Sequence, residues 1–151
     1  MNEHQAKIDE SLWPALRWLG YGGWAPFAVL LLSAWQLGGL WTQALLIYAV
    51  AIVSFVGALS WAWALALPDL SADMRRRLLA WSVVPCLLAC AAALLPSPTQ
   101  WVALAAVYAL TWFMDWRHNA ALAWPQAWLR LRLQLSLGAI ASLILAATWG
   151  L

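Results

Sequence analysis

Residues 41–67 read WTQALLIYAVAIVSFVGALSWAWALAL, with no acid, base or proline among them. A helix rises 1.5 Å per residue, so about 20 such residues cross the roughly 30 Å of hydrocarbon in a bilayer. This run exceeds that length and is expected to tilt or protrude. Four more apolar runs surround it, at residues 17–37, 78–95, 101–116 and 125–150, and their middles hold no acid or base. Lipid offers a backbone no hydrogen bonds, which leaves helices or a closed barrel. A barrel needs alternating segments of about ten residues throughout. Only Leu129-Arg130-Leu131-Arg132-Leu133-Gln134-Leu135-Ser136-Leu137 alternates. It lies between Trp124-Pro125 and a continuous apolar run, where proline suits a first helical turn. On a helix Arg130 and Gln134 share one face, and Arg132 and Ser136 another. The expected fold is all-α: an integral membrane five-helix bundle over residues 17–151, preceded by a segment at 1–16.

Composition agrees. The chain has 151 residues, 66% of them hydrophobic and 9% charged, where a soluble domain averages about 25% charged. One small core cannot bury so much apolar surface, so lipid must take the surplus. The net charge of +2 comes without a basic stripe on a polar surface, which argues against a nucleic-acid partner. Cys86 and Cys90 share a helical face but have no His, Asp or Glu beside them, so neither a metal nor another cofactor is expected. The N-terminal residues show neither a secretory cleavage pattern nor a lipidation motif.

The bases set an orientation. Lys7 and Arg17 precede the first run, Arg75, Arg76 and Arg77 lie between the second and third, and Arg117, Arg130 and Arg132 flank the join of the fourth and fifth. The opposite connections, at Gly38-Gly39 and Pro96-Ser97-Pro98, are uncharged. Basic residues stay on the cytoplasmic side. The N-terminus and the joins at 68–77 and 117–128 are therefore expected inside, the C-terminus outside, in a bacterial-type inner membrane. Ser71 or Asp69 is available to cap the third helix.

Fourteen tryptophans invite two readings. Most fall near a membrane boundary, where the indole's apolar body and polar N–H form interfacial belts; only Trp24 sits well within a span. Trp61, Trp63, Trp81 and Trp112 lie a turn or more inside the cytoplasmic boundary, where they would line a cavity. Pro26 and Pro85 sit at one depth, about 12–14 Å in. Each frees a carbonyl four residues earlier, and such kinks either splay a pocket or shape packing. Ser54, Ala58, Ala62 and Ala66, with Gly57 beside them, and Gly138, Ser142, Ala146 and Gly150 recur at four-residue spacing. Small residues so spaced let backbones approach, within the bundle or between copies.

Asp115 ends the fourth run and is expected to pair with Arg130 or Arg132. This cluster reads either as a clamp for an anionic head-group, quinone or substrate, or as a packing anchor. His118 has the chemistry to titrate near neutral pH. No nucleophile elbow, phosphate loop, zinc helix or paired-carboxylate site occurs, so no enzyme is expected, and no acid or base lies at the midplane, which argues against an ion-coupled pump or proton relay.

Leu19-Gly20-Tyr21-Gly22-Gly23 with Pro26-Phe27, then Tyr48 to Gly57 with Trp61, Trp81-Ser82-Val83-Val84-Pro85, and Trp128-Leu129-Arg130-Leu131-Arg132-Leu133 resemble the domain-of-unknown-function family 3429, related to transmembrane protein 69. The resemblance covers residues 16–148 and departs at Ala62-Trp63, where a family glycine would follow Trp61. It implies a helical membrane bundle and no particular activity. The leading expectation is an accessory or assembly protein that packs against other membrane protein subunits or itself. The alternative is a binder or carrier of an apolar small molecule (quinone, lipid or tetrapyrrole) in a pocket open to the cytoplasmic side and lined by Trp61, Trp81, Trp112, Pro26, Pro85, Asp115, Arg130 and Arg132.

Overall fold

The computed structural model describes residues 10–151. After a short 3-10 turn, five helices follow: α1 (Trp13–Leu37), α2 (Leu40–Ala66), α3 (Ala72–Ala93), α4 (Thr99–Leu122) and α5 (Gln126–Thr148). No strand occurs among the described residues, and the alternating stretch 129–137 lies within α5. Short connections make successive helices antiparallel neighbours. The five close a ring in chain order, with α5 against α1 and α2 also touching α4 across the middle.

Local chemistry explains where the helices begin and end. Ser71 caps α3 by accepting the Met74 N–H at 3.2 Å, and Asp73 adds negative charge to its first turn. The helix thus starts at Ala72, ahead of the apolar run that begins at Leu78, and its first two turns hold Arg75, Arg76 and Arg77. The Arg75 guanidinium reaches back to the carbonyls of Ala64 and Leu67, satisfying the last turn of α2. Likewise α4 continues past Trp116 to Leu122. It stops at Ala123, which takes a left-handed φ of 47°, while Asn119 Oδ1 accepts the Trp124 N–H at 2.8 Å. The sharp turn between α1 and α2 uses Gly38 and Gly39 at φ 60° and 50°, values that glycine adopts without penalty.

Phe27 anchors the core, its ring edge-on to Tyr48 at 5.1 Å and Tyr108 at 6.1 Å. Both tyrosine hydroxyls donate to backbone, Tyr48 to Gly23 and Tyr108 to Ala49. At the far end from the arginines, Trp101 is fully buried, and its indole N–H donates to the Leu151 carbonyl at 2.7 Å.

The two small-residue rows fare differently. In α5, Gly138 lies against the Trp24 ring, while Ser142 and Ala146 are buried. In α2 the inward face is Leu45, Ala49, Val53, Gly57, Ser60 and Ala64. Gly57 meets the ring of Pro85 so closely that a Cβ would lie 2.7 Å from its Cγ. The Ser54, Ala58, Ala62, Ala66 row turns outward instead. Ala58, Ala62 and Ala66 are exposed, and Ser54 returns its hydroxyl to the Val50 carbonyl. The position where a bare glycine backbone can take a rigid proline ring determines which face turns inward.

Large apolar side chains, among them Leu19, Val29, Ile47, Phe55, Leu87, Val102 and Leu137, remain exposed around the outside. Three helices, α2, α3 and α5, are long and apolar enough to cross a membrane. α1, interrupted by Arg17 and three glycines, and α4, which carries Gln100, Asp115, Arg117, His118 and Asn119, are less apolar and fall short.

Candidate functional site

A seam of polar side chains runs through the otherwise apolar bundle. Thr111 and Asp115 lie one turn apart on α4, Arg132 and Ser136 one turn apart on α5, and Ser60 faces them from α2; all five are buried. At its centre Arg132 donates through Nε, at 3.0 Å, and through Nη2 to one carboxylate oxygen of Asp115, Oδ2. The two side chains are only 7% and 9% exposed. Their meeting follows from topology: Asp115 is near the end of α4, Arg132 is in the second turn of α5, and three residues join the helices. Arg130, two positions earlier and so on another helical face, is exposed. A charge so deep is tolerated only with its partner; removing one member of such a pair costs about 3–5 kcal/mol.

On one side of the pair lies a cavity of about 140 Å³, walled by Gly20, Gly23, Trp24 and Phe27 of α1, Ile52 and Val56 of α2, Tyr108 and Thr111 of α4, and Arg132, Leu135, Ser136 and Ala139 of α5. Leu19 and Phe55 also border it and are 75% and 65% exposed, so its mouth opens sideways between α1 and α2. Its polar groups gather at one wall, where Arg132, Thr111 and Ser136 stand. Thr111 has its hydroxyl committed to the Val107 carbonyl. On the other side of the pair a void of about 10 Å³ is closed by Ser60, Trp63, Trp124 and Trp128, with Trp63 leaning on Trp124 at 5.7 Å.

The structure distributes the candidate residues of the sequence over several places. Asp115 and Arg132 come together. Trp61 is 56% exposed on the outside of α2. Trp81 borders a separate cleft between α3 and α4. Trp112 is half-buried with an unpartnered indole N–H. Pro85 is buried against Gly57 and Pro26 is half-buried; neither borders the Arg132 cavity. The three tryptophans thus do not share one pocket. Residues not singled out for a site, Gly20, Gly23, Phe27, Thr111 and Ser136, form the cavity instead. Only the four-residue spacing of Thr111 with Asp115 and of Arg132 with Ser136 hinted at it, because apolar walls carry no signature.

These features define an all-α bundle of five helices with a lateral apolar cavity beside a buried ion pair. The family described as "Protein of unknown function (DUF3429)" matches residues 13–148. The chain belongs to that family. No curated protein and no solved structure matches it.

Proposed function

We propose that this is a multi-pass protein of a bacterial-type inner membrane, with its arginine-bearing end cytoplasmic, that binds an apolar molecule beside Arg132 without transforming it. Kinship with transmembrane protein 69 belongs to the same proposal. The carrying observation is the lateral cavity itself. Its walls suit a ring or chain, its mouth faces where acyl chains would be, and a guanidinium waits at its inner wall. Arg132 uses Nε and Nη2 for Asp115, which leaves Nη1 to donate to a ligand carbonyl or carboxylate. The volume of about 140 Å³ is close to that of a cavity known to take one benzene. That favours a quinone head or an acyl chain over a tetrapyrrole. Trp24 borders the cavity and reports on it. A short-chain quinone or dodecanoate should change Trp emission in the wild type, with the change reduced in Trp24→Phe and abolished when Val56→Phe fills the cavity from its wall. A response identical in all three proteins overturns the reading.

A second reading, an accessory subunit or self-associating protein, draws on the outward row Ala58, Ala62 and Ala66. Such a row lets a foreign helix approach closely. Native mass spectrometry from mild detergent should then show a partner or second copy that Ala62→Leu displaces. A monomer in both proteins counts against it.

A further inference from the structure

Between α3 and α4, at the arginine end, lies a cleft of about 580 Å³ separate from the Arg132 cavity. Arg77 and Trp81, one turn apart on α3, face Met114, Arg117 and His118 on α4, and Val84 continues the apolar wall inward. Among the described residues no acid borders the cleft. Arg75, Arg76 and Arg132 are all engaged by carbonyls or carboxylates, whereas no described residue bonds Arg77 or Arg117. His118 is only 8% exposed, yet its Nδ1 has no partner, and neither has the buried indole nitrogen of Trp81. The two unpartnered nitrogens are enclosed behind the cleft wall, whereas Arg77 and Arg117, which no described residue bonds, both border the cleft; two guanidinium groups at one opening suit an acceptor-rich anion. The apolar wall of Val84 and Met114 would carry hydrocarbon attached to it. Volumes of about 300–1,000 Å³ are usual for ligand sites, and basic pockets between membrane helices on the cytoplasmic side suit lipid phosphates.

We propose that this cleft holds the phosphodiester headgroup of an anionic phospholipid, with the phosphate between Arg77, Arg117 and His118 and the acyl chains along Val84 and Met114. The proposal rests on the membrane setting above but not on the Arg132 cavity. The phosphate could also come from a soluble compound, so the test separates the sources. The purified protein is placed in nanodiscs of phosphatidylcholine with a minor fraction of phosphatidylglycerol, and the lipid retained after detergent extraction is counted by native mass spectrometry. The wild type should retain phosphatidylglycerol preferentially. Arg77→Gln and Arg117→Gln should each cut that preference roughly fivefold, and together about 25-fold. Arg130→Gln, which removes the same charge from an exposed position outside the cleft, should leave it unchanged. Equal loss in Arg130→Gln, or no preference in the wild type, overturns the proposal. So does displacement of the lipid by millimolar glycerol phosphate, which would make the site one for soluble phosphates. Recovery of the protein outside the membrane fraction of cells would instead refute the membrane setting itself.

Discussion

Gly57→Ala tests the inward face of α2 directly. A Cβ at Gly57 would lie 2.7 Å from Pro85 Cγ and 2.9 Å from Pro85 Cβ, while carbons pack at about 3.5–4.0 Å. Neither side can yield by a rotamer change: the ring is fixed to the α3 backbone and the new methyl to that of α2. The helices must part by roughly 1 Å at their crossing, an overpacking cost of about 1–3 kcal/mol. Against this, alanine gains up to about 1 kcal/mol over glycine within a helix. Gly22→Ala on α1 provides the control, because nothing lies within 4 Å of a Cβ there, and the propensity gain cancels in the comparison. Gly57→Ala should therefore be less stable than Gly22→Ala by about 1–3 kcal/mol. At about 2–4 °C per kcal/mol for a chain of this size, thermal unfolding in one detergent should resolve the two variants. Adding Pro85→Ala removes the ring and should restore part of the loss, giving a favourable coupling in the double-mutant cycle. Equal melting of the two glycine variants, or no coupling to Pro85, would refute the packing argument.

The buried pair and the histidine yield two more expectations. Asp115→Leu strands the Arg132 guanidinium and should destabilise by about 3–5 kcal/mol, while Asp115→Leu with Arg132→Leu should return close to wild type; chemical denaturation of the three proteins measures this, and a double variant as weak as the single contradicts it. Burial holds His118 below its ordinary pKa, with Asp115 opposing that shift and Arg117 reinforcing it, and Arg77 stands across the cleft. The unfolded chain therefore takes up a proton first, so stability should hold above about pH 6.5 and decline as pH falls below it; His118→Gln should flatten that part of the profile, and an unchanged slope would exclude His118 as its source.

The helical class could be read from the sequence because uncharged length is the requirement for a span, and the run at 41–67 meets it alone. The Asp115–Arg132 pairing could be read down to two alternatives because the acid had only two bases across the α4–α5 join. What decides between them is helical phase: Arg132 shares a face with Ser136, and that face points inward. Helix ends were less legible. Trp116 to Leu122 looks like a join because it holds Arg117, His118 and Asn119, but a helix that outruns its apolar stretch reads the same way. Its stop at Ala123 lacks the usual glycine. The packing face of α2 was obscured because two rows of small residues run side by side. Sequence spacing cannot weigh them, whereas the proline ring of a neighbouring helix does. Cavities are the least legible feature, being made of what is missing between ordinary apolar side chains.

One more consequence attaches to Pro26. It has no N–H to offer the Gly22 carbonyl, so the hydrogen-bond ladder of α1 is broken at a rung beside the residues that wall the Arg132 cavity. Next to the gap, Tyr48 donates to Gly23, and the following residue, Trp24, rests on Gly138. The α1 wall of the cavity is therefore jointed at Gly22 yet tied on both sides of the joint, by the Tyr21 hydroxyl to Gln134 of α5 and by the Phe27 ring to Tyr48 and Tyr108. The missing rung thus concentrates the backbone's freedom at one point of α1, and the Tyr48 hydroxyl bonds the carbonyl of the very next residue, Gly23.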